Sequence, residues 1–386
     1  MLANDIFTLE DEAYIISVRR EIHRHPEIGF ELYNTSAIVK RELDKMGIAY
    51  TESYGKCSVV GTLNPGKAKV IGLRADMDAL PVQEDNDLPF KSEIDGAMHA
   101  CGHDTHTAML LGAARVLKRV EDKLNVTVKL IFQPAEESNI SGAQMMAENG
   151  VMDDIDECYA IHVENMAAPG TICLRSGDFH AACHPYCIEF FGKSTHAAIP
   201  QNGHDALAMA VKAYNDIYIM KCREFSPFFE NVLSISSIQA GHAHNVVAEY
   251  AKMLISFRFY DMEAHEKADA RIKEICRNCA AELGGTVKFT DSVSAYPVYN
   301  DAKVTELARK AAAKVVGEDK VADAPKRMSS EDFSHFSMRK PSTIIRLSTR
   351  NEELGCTEAA HTGKFKVDEA AFKNGAKTFI QVILDY

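Results

Sequence analysis

Strand-like and helix-like segments alternate along the first 165 residues of the chain. Short apolar runs typical of strands lie at 57–61, 70–74, 126–132 and 158–163. Helical patterns surround them, at 10–25, 35–46, 103–120 and 142–149. Such alternation predicts an α/β fold, with a mainly parallel sheet that is covered by helices on both faces.

The pattern changes near residue 182 and changes back near residue 296. Between them, strand-like runs at 186–191, 232–238 and 252–260 combine with helical patterns at 205–220 and 263–283. At 386 residues the chain exceeds the usual size of one core. We therefore predict a catalytic domain of residues 1–182 and 294–386, interrupted by a smaller α+β domain of residues 183–293.

Charge and composition exclude several classes of partner. The formal net charge is −12, from 43 Lys and Arg against 55 Asp and Glu, whereas nucleic acids and anionic membranes attract basic surfaces. The start of the chain has no secretory signal pattern, and no apolar run reaches the roughly 20 residues of a membrane helix. Because ten cysteines in such a chain indicate reduced thiols, we expect a cytoplasmic protein with no nucleic-acid or membrane partner.

The segment Met98-His-Ala-Cys-Gly-His-Asp-Thr-His106 contains the first candidate metal ligands. Cys101 and His103 lie two residues apart, where a predicted helix begins. A thiolate and an imidazole at this spacing can converge on one zinc-like ion. By itself the pair is also compatible with a buried cysteine beside a hydrogen-bonded histidine.

Two adjacent carboxylates, Glu136 and Glu137, follow the predicted strand at 126–132. Open α/β sheets place their sites at the carboxyl ends of the strands. Since neighbouring side chains point in different directions, one acid can bind a metal while the other reaches a water. The alternative interpretation is a solvated acidic loop. The buried strand that directly precedes the two residues argues against it.

Two further histidines complete the pattern. His162 lies at the end of another predicted strand, and His361 lies far along the chain in Ala360-His-Thr-Gly-Lys-Phe365. Either one alone is more typical of a structural histidine than of a ligand. The combination with the cysteine and the carboxylates is what indicates a metal centre.

In this order the motifs resemble the aminoacylase and carboxypeptidase family of co-catalytic dinuclear metallohydrolases. The likeness is greatest to the branch of hippurate hydrolase, N-acetyldiaminopimelate deacetylase and the auxin–amino acid hydrolases. It covers nearly the whole chain and includes His23-Arg-His-Pro-Glu-Ile-Gly29, Leu73-Arg-Ala-Asp-Met-Asp-Ala-Leu-Pro81, Gly192-Lys-Ser-Thr-His-Ala-Ala-Ile-Pro200, Asn245-Val246 and Ser330-Glu-Asp-Phe-Ser334.

The resemblance implies two divalent metal ions per subunit, zinc or manganese, with cobalt and nickel as alternatives. Cys101 would bridge the ions, Glu137 and His361 would complete one of them, and His103 and His162 the other. The resemblance also implies that Glu136 is the general base, and that Asp76 is a carboxylate that orients a metal-binding histidine. If Cys101 does not bridge, Asp104 is the next candidate.

The resemblance also assigns roles within the inserted domain, which would be a lid that forms a homodimer. His196 matches the lid histidine that reaches the partner subunit's site and can stabilise an oxyanion. Asn245 matches a position that faces substrate, and Arg258 is a candidate for binding a carboxylate. Here the sequence departs from the branch, because Asn245-Val-Val-Ala248 replaces Asn-Val-Ile-Pro and Ile255-Ser256 replaces Gly-Thr. These departures bear on which substrate is bound more than on the catalytic mechanism.

The expected function is therefore hydrolysis of the amide bond of an N-acyl amino acid, with a small molecule as the only partner besides a second subunit. A dipeptidase or aminopeptidase of the same wider family is the alternative enzyme. A catalytically silent relative is the alternative of another class. Its signature would be loss of the base or of a ligand, and Glu136 and all five ligand positions are present.

Overall fold

The computed structural model describes residues 1–138, 140–291 and 293–386. In the described residues the helices are α1 (Ala3–Ile6), α2 (Leu9–Arg24), α3 (Tyr33–Met46), α4 (His103–Arg119), α5 (Gly142–Glu148), α6 (Ala206–Glu224), α7 (Met262–Glu282), α8 (Ala302–Val316), α9 (Ser334–Ser337) and α10 (Phe372–Leu384). The strands are β1 (Ala49–Thr51), β2 (Val59–Leu63), β3 (Val70–Asp76), β4 (Thr127–Gln133), β5 (Glu157–Glu164), β6 (Ile172–Leu174), β7 (Gly177–His180), β8 (Ala182–Phe191), β9 (Asn231–Ala240), β10 (Tyr250–Phe259), β11 (Thr286–Asp291), β12 (Val298–Asn300), β13 (Val321–Asp323) and β14 (Ser342–Ser348).

The first of two compact units comprises Met1–Phe179, Val298–Lys326 and Asp332–Tyr386. Its eight-stranded sheet has the order β1-β2-β4-β3-β5-β14-β6-β13. The four central strands are parallel to one another, in the order β4-β3-β5-β14. β1, β2 and β6 add antiparallel pairings. The predicted α/β class with a mostly parallel sheet is confirmed.

Helices cover both faces of this sheet because its central strands are apolar on both sides. In β4, Val128, Leu130 and Phe132 join a core formed with α2, α3, α4, α8 and α10. The alternating residue Ile131 joins a second core, together with Met146 of α5 and Phe336 of α9. This two-sided burial fixes the strand ends at which the candidate site lies.

The second unit comprises His180–Pro297 and Arg327–Glu331. Its antiparallel sheet has the order β11-β8-β10-β9. Along β10 every second residue is buried, from Ala251 to Phe259, and this apolar face packs against α6 and α7 in one core. The unit is the α+β domain that the sequence pattern predicts.

The limits of the two units differ from the predicted domains at three places, residues 180–182, 294–297 and 327–331. The predicted insert 183–293 lies inside the long segment His180–Pro297. Residues Arg327–Glu331, which were predicted to belong to the catalytic domain, join the second unit instead. The reason is local hydrogen bonding: the carbonyl of Arg327 accepts from the hydroxyl of Tyr260 at 2.7 Å and from the backbone N–H of Ala181 at 3.0 Å.

Candidate metal centre

Three parallel strands of the first unit end at one edge of the sheet. β3 ends at Asp76, β4 at Gln133 and β5 at Glu164, and β3 pairs in parallel with both of the others. Their carboxyl ends therefore lie side by side, where open α/β sheets place ligands. Glu136 and Glu137 follow β4 directly, and His162 lies near the end of β5.

Cys101 and His103 are presented by the turn that begins α4. The residue between them, Gly102, has φ 88°, in the left-handed region that favours glycine. A Cβ at this position would lie 2.4 Å from Cγ2 of Val163, so only glycine allows this close approach to β5. Both Cys101 and His103 are buried.

Two groups of potential ligand atoms meet at Cys101. The ligand atoms of Cys101, His103 and His162 lie within 4.8 Å of one another, and so do those of Cys101, Glu137 and His361. Cys101 Sγ is 3.4 Å from Nε2 of His162, and Nε2 of His361 is 3.1 Å from Oε1 of Glu137. The structure thus brings all five predicted ligands together, with the cysteine common to both groups.

The donor atoms fit divalent metal ions. Thiolate, imidazole and carboxylate are the usual ligands of zinc-like ions. Nε2 of His103 is buried and makes no hydrogen bond to the residues that the structure describes, which is costly unless another partner such as a cation is present. Burial raises the pKa of the Cys101 thiol to about 12. A nearby cation would stabilise its thiolate.

Two of the other predicted ligands, His162 and Glu137, favour forms that can bind a metal. At His103, burial lowers the pKa, but the charges of Asp76 and Cys101 outweigh this and raise it well above 6.5. Burial, and next the charge of Arg346, hold the pKa of His162 well below its usual 6.5. Its imidazole is therefore neutral and able to bind a metal. The pKa of Glu137 is raised by burial, but the hydrogen bond from His361 and the nearby His103 outweigh this and lower it. Glu137 is therefore a carboxylate.

Asp78 contacts His103 and can orient it. No role was predicted for Asp78 from the sequence. Its Oδ1 lies 3.3 Å from Nδ1 of His103. Its two oxygens also accept the backbone N–H groups of Glu136 and Glu137, each at 3.0 Å. Asp78 therefore connects one predicted ligand to the turn that carries another, as carboxylates behind metal-binding histidines commonly do. The available signal was the spacing of Asp76 and Asp78 just after a buried strand.

Asp76, the predicted orienting carboxylate, makes its short contacts elsewhere. Its Oδ1 is 2.6 Å from Nδ1 of His106, and its Oδ2 forms an ion pair with Arg74 at 2.8 Å. The distance from its Oδ2 to Nε2 of His103 is 3.8 Å. His106 in turn accepts the backbone N–H of Val163 at 2.9 Å. Asp76 thus supports the end of β5, and its predicted role toward a metal ligand stays a prediction.

Glu136 lies beside His103, with 3.9 Å between its Oε2 and Nε2 of His103. The residue before it, Ala135, has φ 56°, and His361 has φ 67°. Left-handed backbone in residues other than glycine is uncommon and concentrates at functional sites. Ala135 lies between β4 and the two carboxylates, and the ligand atoms of His103, Glu136 and Glu137 lie within 4.8 Å of one another.

Asp104, the alternative bridge, is engaged on another side of α4. Its Oδ2 is 2.7 Å from Nε of Arg19 and 2.7 Å from Nδ1 of His23. The carboxylate is buried, and its contacts are with α2. The geometry therefore favours Cys101 as the shared ligand.

The residues predicted to contact substrate all belong to the second unit. His196 is exposed, and Val246 pairs with it in an isolated antiparallel bridge. The carbonyl of Asn245 accepts the N–H of Ala197 at 2.9 Å, so His196 and Asn245 are neighbours. Arg258 lies on β10, where its Nη1 donates to the carbonyl of Met328 at 2.9 Å. The roles of all three stay predictions.

Comparisons with known proteins agree with this geometry. Residues 72–385 match Peptidase family M20/M25/M40. The chain is 38% identical over 381 residues to thermostable carboxypeptidase 1 of Saccharolobus solfataricus, covering 97% of this chain and 95% of that protein. It is 32% identical to IAA-amino acid hydrolase ILR1-like 4 of Arabidopsis thaliana, covering 99% and 87%. It is also 32% identical to N-acetyl-L-cysteine deacetylase of Bacillus subtilis, covering 95% and 89%.

Solved structures show the same architecture. A putative aminohydrolase from methicillin-resistant Staphylococcus aureus superposes with a TM-score of 0.91 at 29% identity, covering 98% of this chain and 97% of that one. The YXEP protein of Bacillus subtilis, described as a dinuclear metal-binding peptidase of the M20 family, gives a TM-score of 0.84 at 29% identity, covering 98% and 99%.

The parallel sheet and its ligand-rich edge are those of a hydrolase that acts on amide bonds. More specifically, the chain belongs to Peptidase family M20/M25/M40. The family resemblance inferred from the motifs is therefore confirmed, as is the expectation of a metallo-amidohydrolase.

Proposed function

We propose that this protein removes the acyl group from N-acyl amino acids with the help of two divalent metal ions. The observation that carries the proposal is that Cys101 belongs to both ligand groups, as a ligand shared by two cations would. Relatives support the substrate class, since one is named as a deacetylase of N-acetyl-L-cysteine and another as a hydrolase of IAA–amino acids.

In this proposal each cation takes two ligands besides the shared Cys101. His103 and His162 would hold one, and Glu137 and His361 would hold the other. Zinc or manganese suits this mixture of sulfur, nitrogen and oxygen donors, with cobalt and nickel as alternatives. When bound, the cations would lower the pKa of a water and offset negative charge that develops on the amide oxygen.

Glu136 acts as the general base. Its carboxylate lies beside His103 and accepts a proton from the attacking water at one carboxylate oxygen. The same group then hands the proton to the leaving nitrogen as the C–N bond breaks. Asp78 holds the backbone of Glu136 in place during both transfers. We retain Asp76 as a further supporting carboxylate.

The second unit contributes the substrate contacts. We propose that His196 stabilises the oxyanion at the site of a partner subunit, that Asn245 faces the substrate and that Arg258 binds a carboxylate. This assignment requires a homodimer formed through the second unit. Two observations support the requirement: His196 is exposed, and β9 is an edge strand of its sheet.

We further propose a cytoplasmic location. The cysteines that the structure describes are free thiols, as expected in a reducing compartment. No described helix has both the length and the apolar character needed to cross a bilayer.

A peptidase is the second candidate function. The relative of 38% identity is named a carboxypeptidase, and the same two-cation chemistry hydrolyses a peptide bond. The two functions differ in the group on the nitrogen side of the scissile amide, because a dipeptidase or aminopeptidase requires a free α-amine.

A substrate panel distinguishes these candidates. Acetyl-, benzoyl- and longer-acyl amino acids are assayed beside the matching dipeptides, and metal content is measured in the same preparation. We expect acyl amino acids to be hydrolysed faster than dipeptides by enzyme that contains two ions per subunit. Faster turnover of dipeptides with a free amine would identify a peptidase instead.

Cys101→Ser tests the shared ligand. A neutral hydroxyl is a poor bridge between two cations, so we expect both ions to be bound more weakly and turnover to fall. Cys158→Ser is the matched control, since Cys158 is also buried in the same unit and lies at the start of β5. Retention of both ions at wild-type affinity by Cys101→Ser would remove the bridging role.

A further inference from the structure

Asp332 is a buried carboxylate that receives hydrogen bonds from several donors. Its Oδ1 accepts from Nη2 of Arg74 at 3.0 Å. Nε2 of Gln133 lies 2.9 Å from both of its oxygens. Its Oδ2 also accepts from the hydroxyl of Ser141 at 2.7 Å and from the backbone N–H of Ala143 at 3.1 Å. The side chain is only 4% exposed.

Three of these donors lie at the two ends of one loop, and the fourth, Arg74, lies on β3. Gln133 is the last residue of β4, Ser141 is the N-cap of α5 and Ala143 lies in its first turn. Glu136 and Glu137 lie between these ends. Asp332 therefore joins the beginning and the end of the loop that carries the proposed base and one proposed ligand.

The described residues at the two ends of this loop are in close contact with each other. The N–H of Gly142 donates to the carbonyl of Ala135 at 3.0 Å. A Cβ on Gly142 would lie 1.7 Å from the carbonyl oxygen of Pro134. Asp78 holds the loop through the N–H groups of Glu136 and Glu137. Asp332 holds its two ends, so two carboxylates fix the loop at separate points.

Only an ionised carboxylate matches this set of partners. Arg74, Gln133, Ser141 and the N–H of Ala143 all donate, and the positive charge of Arg74 is shared between Asp332 and Asp76. An amide in place of the carboxylate would turn an NH₂ group toward at least one donor and leave that buried donor without an acceptor, which is unfavourable. The loop would shift to relieve the conflict.

We propose that Asp332 is a positioning residue, which fixes Glu136 and Glu137 by clamping the ends of the loop between β4 and α5. The inference rests on the proposed function for the roles of these two glutamates. Asp332 acts through Gln133, Ser141 and Ala143.

The test is Asp332→Asn, measured as kcat, KM and Co²⁺ affinity at a temperature where circular dichroism shows the variant fully folded. Displacing a catalytic group by about 1 Å costs on the order of 10²-fold in rate. We expect kcat to fall tenfold or more with KM changed less than threefold. Co²⁺ titration, followed by thiolate-to-cobalt absorption, should show weaker binding because Glu137 is displaced.

Asp11→Asn is the matched control for loss of a buried carboxylate. Asp11 is fully buried in the same unit, and its partners are Thr8, Arg115 and Arg119. We expect this variant to lower the unfolding temperature while leaving kcat and Co²⁺ affinity per folded molecule unchanged. Equal losses of kcat in Asp11→Asn and Asp332→Asn would show a general structural effect and overturn the proposal.

Ser141→Ala is a milder second variant, useful if Asp332→Asn does not fold. It removes one donor to Asp332, so kcat and Co²⁺ affinity should fall in the same direction by a smaller factor. Wild-type kcat and Co²⁺ affinity in Asp332→Asn, or in Ser141→Ala where only that variant folds, would overturn the proposal. Failure of the proposed function looks different: wild-type protein would then show neither thiolate-to-cobalt absorption nor amide hydrolysis.

Discussion

At the scale of residues, neighbouring side chains of the candidate centre have different proposed roles, one in proton transfer and one in metal binding. Glu136 and Glu137 are adjacent in sequence, and their carboxylates lie within 4.8 Å of each other and of His103, yet their contacts differ. Glu137 contacts His361 at 3.1 Å, whereas Glu136 lies beside His103. Two isosteric substitutions can therefore separate proton transfer from metal binding.

We expect Glu136→Gln to abolish turnover while it retains both metal ions. Loss of a general base costs about 10²–10⁴-fold in rate. Glu137→Gln should instead lose both metal and activity, and added metal should restore part of the activity. The measurement is kcat together with metal content per subunit in each variant. A fully metal-loaded Glu136→Gln that kept its activity would exclude Glu136 as the base.

Four of the five proposed ligands follow a recognisable strand or begin a helix, whereas His361 lies in a turn. The full set could be named from the sequence only because its motifs resemble those of the family. Asp78 and Asp332 could not be assigned in this way. Asp78 acts on a turn some 60 residues away, and the partner atoms of Asp332 are separated from it by 189 to 258 residues. Such pairings depend on how the sheet assembles, which local patterns do not encode.

At the scale of elements, the second unit contains a buried pair of histidines that links its stability to pH. Nδ1 of His184 on β8 is 2.7 Å from Nε2 of His265 on α7, and Nε2 of His184 is 3.1 Å from Oδ2 of Asp291. His265 stacks on Phe259 with ring centroids 3.9 Å apart. Asp269 and Lys273 lie beside the pair. Burial, followed by the neighbouring His184, lowers the pKa of His265 to about 4.

This unit should therefore lose stability as the pH falls from about 6.5 toward 4. Below 6.5 the unfolded state binds a proton that folded His265 does not, so the free energy of unfolding decreases, by at most about 1.4 kcal/mol per pH unit. His265→Gln keeps a donor for His184 but does not titrate. In urea unfolding at pH 7, 6 and 5, its midpoint should fall less steeply than that of the wild type. Parallel slopes would rule out His265 as the source.

Most elements near the site could be predicted from apolar spacing, but the central strand β14 could not. Its sequence, Ser342-Thr-Ile-Ile-Arg-Leu-Ser348, has polar residues at both ends and an arginine within the apolar run. Every residue of the strand is buried, including Arg346, which lies over the ring of Phe179 at 5.7 Å. The polar residues of β14 are buried because the strand lies between β5 and β6. This position depends on the tertiary structure and cannot be predicted from the local sequence pattern.

At the scale of the whole molecule, the second unit presents features suited to a partner copy. On α6, the apolar side chains of Leu207, Val211 and Tyr214 follow helical spacing and are 42%, 46% and 36% exposed. Exposed apolar surface of this kind marks interaction sites. The edge strand β9 offers further backbone pairing.

We expect sedimentation velocity to show a dimer at micromolar concentration, and Val211→Glu to shift it toward monomer by placing a charge in the apolar surface. Ala302→Glu, which adds the same charge at an exposed position of α8, should remain dimeric. If His196 serves the partner's site, activity should fall with the dimer. A monomeric wild type of full activity would contradict both expectations.

The position of β14 in the sheet also has a consequence for how the protein is made. β14 lies between β5 and β6, yet a ribosome translates it only after the long segment of the second unit. At about 5–20 residues per second, the roughly 180 residues that separate β5 from β14 take on the order of 10–40 seconds. During this time one edge of β5 has no neighbour, and exposed strand edges favour aggregation. His361 follows β14, so a nascent chain cannot assemble both proposed ligand groups until β14 and the segment after it have been made.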